Sequence, residues 1–159
     1  MLRQIDRPEL PMSFARVLSR TMKRFVVRDG VAVIHLGPVE RDDLIVQMAD
    51  FCLQFEGVEW VAVSGKLNGS LVIAVRNHGF GRLNAGETVK RLFGDIGSAG
   101  GHRNMSKAVV PLRKWREREG TSRDSEIEPR MRELFTKGII GDGEMHEPRA
   151  ARNGHHDTR

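Results

Sequence analysis

The segment VEWVAVSGKLNGSLVIAVRN, Val58 to Asn77, decides the fold. Two apolar runs, Val58–Ser64 and Ser70–Arg76, flank GKLNG, and Asn68-Gly69 is the dipeptide that suits a tight hairpin turn. A hairpin is antiparallel by construction. Upstream, VAVIHL (31–36) reads as a short buried strand, followed by the loop GPVERDD. Asp42 or Asp43 then favours the start of a helix whose inner face is Leu44, Ile45, Met48, Cys52 and Phe55, closed by Gly57. Strand, helix, strand and hairpin together predict an α/β sheet of mixed direction.

Working outward, residues 1–12 hold two prolines and several charges and read as an entry strap. Ser13 is the expected cap of an amphipathic helix with Phe14, Val17, Leu18, Met22 and Phe25 inward, ending near Asp29-Gly30. Its Arg16, Arg20, Lys23 and Arg24 face elsewhere. Asn84 is the expected cap of a helix over 86–93. A glycine-rich loop and a short helix come next, then a last strand of Val109, Val110 and Leu112, where Pro111 marks an edge or a strand end. The expectation is one α/β domain over 13–112, a mixed sheet of about four to five strands flanked by helices. KWREREGTSRDSE then opens a charged linker and helix over 113–138, with Met131, Leu134 and Phe135 on the helix, before a tail over 139–159 expected to be disordered.

The chain has 159 residues, 39% of them hydrophobic, which suits one compact domain. Lysine and arginine total 26 against 21 acidic residues, a formal charge of +5 that favours anionic partners. The lone Cys52 excludes an internal disulfide and a cysteine-rich zinc site. Neither a signal-peptide core nor a membrane-length apolar run is evident, so a cytoplasmic protein without membrane contact is expected.

The chemistry concentrates in GSAGGHRNMSKAVVPL, Gly97 to Leu112. Glycines at that density serve sharp turns or close approach to the backbone. Freed peptide N–H groups and the start of a following helix can converge on an anion, with His102 and Arg103 adding charge-assisted hydrogen bonds. A purely structural connection accounts for the glycines equally well on physical grounds.

These residues resemble a family. GSAGGHRNMSKAVVPL looks like the glycine-glycine-histidine signature of the DHH-associated domain, type 1, the substrate-binding half of DHH phosphoesterases. SLVIAVRN resembles that family's strand ending in an arginine, NAGETVKRLFG its following helix, and QMADFCLQFEGVEWVAVSG the preceding helix and strand, so the likeness covers roughly residues 3–112. The nearest likeness is to exopolyphosphatase-related, RecJ-like and oligoribonuclease members. The resemblance implies that Gly100, Gly101, His102 and Arg76 grip a substrate phosphate, with weaker claims for Arg103 and Ser98. It implies as substrate a short single-stranded oligonucleotide or nucleotide. It also implies manganese held by a partner DHH catalytic domain, in cis or in trans, because no Asp-His-His cluster exists here. Catalytic residues of this chain's own are therefore not expected, and phosphoesterase (hydrolase) activity is expected only from the complete enzyme. Ala99 and the run Met105-Ser106-Lys107 depart from the family pattern. Two alternatives stay open: a stand-alone RNA-binding module, since a related domain ends some alanyl-tRNA synthetases, and a homodimer.

Other candidates are weaker. GFGRLN (79–84) lacks the glycine spacing of a dinucleotide fingerprint and reads as a connector. His35 reads as a satisfied core histidine, His78 as a surface loop residue, Trp60 as core and Trp115 as part of a solvated helix face.

Overall fold

A computed structural model describes residues 9–79, 81 and 83–140. Among them the chain order is α1 (Met12–Met22), β1 (Val27–Arg28), β2 (Val31–Pro38), α2 (Asp43–Cys52), β3 (Trp60–Leu67) and β4 (Ser70–Asn77). Then come α3 (Ala85–Phe93), β5 (Ser98–Gly101), β6 (Met105–Pro111), α4 (Leu112–Glu119) and α5 (Asp124–Ile140). The strands form one sheet in the order β1-β2-β3-β4-β6-β5. Only β2 and β3 are parallel; every other neighbouring pair is antiparallel. The α/β fold with a mixed sheet is as the sequence predicts, with six strands in place of four to five.

Alternation along the strands separates two cores. Val31, Val33, Trp60, Ala62, Leu71, Ile73 and Val75 face α3, α4 and α5, whereas Ala32, Ile34, Val61, Val63, Val72 and Ala74 face α1 and α2. Asn68 and Gly69 both take positive φ, 50° and 74°, which fits the hairpin turn to the strand twist. Asn84 caps α3 by accepting from Glu87 N at 3.2 Å.

Several expectations are corrected. The first helix starts at Met12 behind Pro11, with no side-chain cap, so Ser13 lies inside it. It ends at Met22; Asp29 (φ 51°) and Gly30 (φ 75°) turn the β1–β2 hairpin instead of closing the helix. Asp-Gly is itself a hairpin signal, and the amphipathic spacing that runs through Phe25 obscured it. Phe55 lies beyond the end of α2 and is partly exposed, packing edge to face on Phe51 at 5.5 Å. The short helix expected after the glycines is absent: Ser98–Gly101 is an edge strand paired with β6.

The charged stretch after Leu112 also folds into the body. Trp115, Ile127, Met131 and Phe135 are fully buried against the sheet, so Trp115 is not on a solvated face. Arg118 pins α4 by donating to Leu92 O at 2.6 Å while its guanidinium lies over the Phe93 ring. His35 fastens α5: its Nδ1 pairs with Ser64 Oγ at 2.8 Å and its Nε2 with Asp124 at 2.9 Å. Because a carboxylate only accepts, Nε2 carries the proton and Nδ1 accepts from the serine. Burial pushes the imidazole below its usual pKa against the opposing pull of Asp124. Asp124, which burial alone would raise, is held below the usual carboxylate range by hydrogen bonds from His35 and Lys66. Residues 1–8 of the expected strap and 141–159 of the expected tail lie outside the described residues.

Candidate functional site

The glycines do different jobs. Gly101 has φ 150°, and a Cβ there would meet Met105 O at 2.5 Å and Ser106 Cα at 2.6 Å. On Gly86 a Cβ would meet Gly101 O at 2.6 Å, and on Gly97 it would meet Val109 O at 2.4 Å. What approaches these glycines is therefore backbone. The first turn of α3 abuts the β5–β6 turn, with Ala85 N donating to Arg103 O at 2.8 Å and Gly86 N to His102 O at 2.9 Å. With Glu87 N taken by the Asn84 side chain, three first-turn donors of α3 are satisfied within the protein. No helix follows His102, so a helix start cannot supply anion donors there. Gly100 differs: its Cβ position has nothing within 4 Å.

Register then brings a set of side chains onto one face. Val75 pairs with Ser106, whose Oγ donates to Ala85 O on the α3 side, so the neighbouring pair Arg76 and Met105 faces α2. His102 sits opposite Met105 across the β5–β6 turn, its N–H donating to Met105 O at 2.7 Å. Arg76, Met105 and His102 thus lie in a backbone row across β4, β6 and the end of β5, about 10 Å from end to end. Beside it run Ala74–Lys107–Gly100 and Val72–Val109–Ser98. Helix α2 covers β3 and β4 on this face, and Met105 (48% exposed), Val109 and Ser98 remain open to solvent beyond it. The result is an uncovered strip of sheet, floored by β6 and β5 and walled by α2.

The wall is acidic and holds the cations of the floor. Arg76 is buried, with Nε donating to Asp50 at 2.8 Å and Nη1 to Val75 O at 3.0 Å and Ser106 O at 3.5 Å. Its Nη2 takes no hydrogen-bond partner among the described residues. Lys107 donates to Asp42 at 2.7 Å, and this bond, with the lysine charge, holds the Asp42 carboxyl below its usual range. Asp50 went unnoticed in the sequence, because its partner lies 26 residues away and no local pattern links them.

Of the five residues singled out from sequence, Arg76 and Gly100 share this face by register, and His102 follows the end of β5 opposite Met105. Gly101 belongs to the opposite pleat and to the packing of α3. Arg103 turns away: its guanidinium donates to Gly81 O, and its carbonyl accepts from Asn77 Nδ2 at 3.1 Å. His78 is exposed, with Nε2 3.1 Å from Val58 O. Among the described residues no three His, Cys, Asp or Glu side chains are placed to share a metal ion, so these residues do not fit a manganese site. Among them, too, no helix is long and apolar enough to cross a membrane.

Fold and strip together define a class: an α/β domain whose mixed sheet leaves one edge of a face open beside an acidic helix. No family model matches the chain. An uncharacterized protein of Methanocaldococcus jannaschii is 32% identical over 113 residues, 70% of this chain and 23% of that protein. Among solved structures, an exopolyphosphatase-related protein from Bacteroides fragilis superposes with a TM-score of 0.57 at 14% identity, over 82% of this chain and 36% of that one. A pGpG-specific phosphodiesterase from Vibrio cholerae gives a TM-score of 0.44 at 13% identity, over 69% of this chain and 37% of that one. The likeness to the Bacteroides protein is one of fold. The chain spans about a quarter of the length of its curated relative.

Proposed function

We propose that this domain is the substrate-binding part of a DHH-type phosphoesterase and that it grips a substrate phosphate on the strip between α2 and β5. The observation that carries this reading is the row Arg76–Met105–His102, which sets a buried guanidinium and an exposed imidazole beside a glycine without steric cover. The fold likeness to an exopolyphosphatase-related protein supports the same class. In this scheme a phosphate oxygen meets Arg76 Nη2 while Nε stays on Asp50 and Nη1 on the Val75 and Ser106 carbonyls, which holds the guanidinium in place. Gly100 lets the ligand close on the β5 backbone, and His102, free to turn at the strip's edge, supplies a second donor. The contribution is positioning and charge compensation. Hydrolysis of a short oligonucleotide or nucleotide would belong to the complete enzyme, with manganese held by a DHH catalytic domain in cis or in trans.

The test is binding of a 5′-phosphorylated trinucleotide and its dephosphorylated counterpart by calorimetry. A charge-assisted hydrogen bond is worth about 1.5–3 kcal/mol, so His102→Ala should weaken the phosphorylated ligand about tenfold or more. Arg76→Lys should do the same while preserving the pair with Asp50. If neither variant changes the dissociation constant, or if the phosphate makes no difference to the wild type, the strip is not a phosphate site.

A further inference from the structure

A second charged surface lies on the same side of the sheet. Helix α1 packs on β2 beside α2, with Phe14, Val17 and Thr21 buried beneath it. Its outer face, continued by the turn after it, carries Arg16, Arg20, Lys23 and Arg24, all exposed. From Met12 to Gly30 the sequence holds five basic residues and one acidic residue, Asp29. Among the described residues, Arg16, Arg20, Lys23 and Arg24 make no ion pair.

Two ordinary explanations account for only part of this. Cations at a helix C-terminus complement the dipole, which covers Arg20 in the last turn and Lys23 and Arg24 just beyond it. It does not cover Arg16 in the helix middle. Nor are the cations there to compensate neighbouring acids, because the carboxylates of α2 and its cap are engaged elsewhere: Asp42 by Lys107, Asp43 by Arg41 and Asp50 by Arg76. A positive stripe thus persists beside an acidic helix. Arg16 and Arg20 lie about 6 Å apart along the helix axis, and Lys23 and Arg24 follow in the turn after it. Arg16 and Arg20, with Ala15 and Ser19, line a shallow groove of about 630 Å³.

We infer that the outer face of α1 is a contact surface for the phosphate backbone of a single nucleic-acid strand. A row of flexible, unpaired cations matches a repeating anion and reads charge without reading sequence. An anionic membrane would be met by a basic amphipathic helix through its apolar face, but here that face is buried in the core. The inference stands apart from the phosphate strip, which lies on the other flank of α2, roughly 15 Å away across three strand spacings.

Fluorescence anisotropy with a labelled 20-nucleotide oligouridylate, titrated over a range of salt with the full chain, tests it. Neutralising the stripe (Arg16→Gln, Arg20→Gln, Lys23→Gln, Arg24→Gln) should make the slope of log affinity against log salt shallower by about 2 to 3, at roughly 0.7 per lost phosphate contact. The four arginine or lysine exchanges that keep the charge should leave the slope unchanged. If the fourfold variant loses its fold by circular dichroism, the pairs Arg16→Gln with Lys23→Gln and Arg20→Gln with Arg24→Gln carry the same test at half the effect. His102→Ala should keep the salt slope of the long strand while weakening the short phosphorylated ligand, so the two sites fail or succeed separately. A wild type that does not bind the strand, or a neutralised variant with an unchanged slope, overturns the inference. An unchanged slope with lost binding to phosphatidylserine-containing vesicles overturns it in favour of a lipid surface.

Discussion

Replacing Gly101 by alanine should damage the fold, whereas the same change at Gly100 should not, although the two are adjacent in sequence. Gly101 holds φ 150°, a conformation L-residues rarely adopt, at a strain of about 1–3 kcal/mol. The added methyl would also stand 2.5 Å from Met105 O and 2.6 Å from Ser106 Cα. Comfortable carbon contacts begin near 3.5 Å, so the overlap approaches 1 Å. Both atoms belong to a strand paired with β4, and Ser106 Oγ is tied to Ala85 O, so the neighbours cannot simply yield. Overpacking of this kind adds about 1–3 kcal/mol, for a total of roughly 2–6 kcal/mol against the 5–15 typical of whole domains. Thermal unfolding followed by circular dichroism should show a fall on the order of 10 °C. Gly100→Ala meets open space and should stay within about 0.5 kcal/mol of the wild type. A larger side chain, Gly100→Leu, should fill the strip and cut binding of the 5′-phosphorylated trinucleotide without unfolding the domain. A Gly101→Ala protein with wild-type melting would refute the backbone contact, and a stable Gly100→Leu protein with wild-type binding would remove Gly100 from the site.

Two further outcomes bear on the C-terminal helices. His35 is held neutral by burial, so its folded pKa lies below its unfolded value near 6.5. The unfolded chain therefore binds the proton first, and stability should fall as pH drops below about 6.5 toward the folded pKa; urea unfolding at a series of pH values should show this, and His35→Gln should flatten the decline. Phe135 is fully buried 6.0 Å from the Phe93 ring, so Phe135→Ala should lower stability by about 3–5 kcal/mol in urea, whereas under 0.5 would mean that α5 is a detachable appendage.

What the sequence could convey depended on whether the cause was local. The Asn68-Gly69 turn, the Asn84 cap and the apolar faces of α2 (Phe55 apart) and β2 follow from residues within a few positions of one another, and these form. Strand β5 does not follow from local preference, because Ser-Ala-Gly-Gly has little β propensity; it is extended because β6 pairs with it and α3 needs a close backbone neighbour. The same limit hid the burial of Trp115. Its flanking Lys114 and Arg116 are exposed while the indole turns inward, a division that becomes visible only once the sheet beneath is known. Arg76 was legible as a strand-end arginine, but Asp50 was not, since their meeting depends on where α2 crosses the sheet.

Charge on the α1–α2 side of the sheet is arranged unevenly in a way that the folding of the domain does not require. Each exposed carboxylate of α2 and its cap finds a cation: Asp42 takes Lys107, Asp43 takes Arg41 and Asp50 takes Arg76. The two exposed pairs, Asp42–Lys107 and Asp43–Arg41, contribute little to stability, about 0–1 kcal/mol each. The Arg76 pair has a larger consequence, orientation, because Asp50 fixes the plane of a buried guanidinium whose Nη2 takes no hydrogen-bond partner among the described residues. Along α1 the cations have no such partners among the described residues, so their field is left for something outside the domain. Held cations next to an open glycine suit recognition of one phosphate at a defined place, and unheld cations on a helix suit tolerance of many. If both proposals hold, salt should therefore weaken the strand far more than the trinucleotide. Equal salt slopes for the two ligands would show that a single surface serves both.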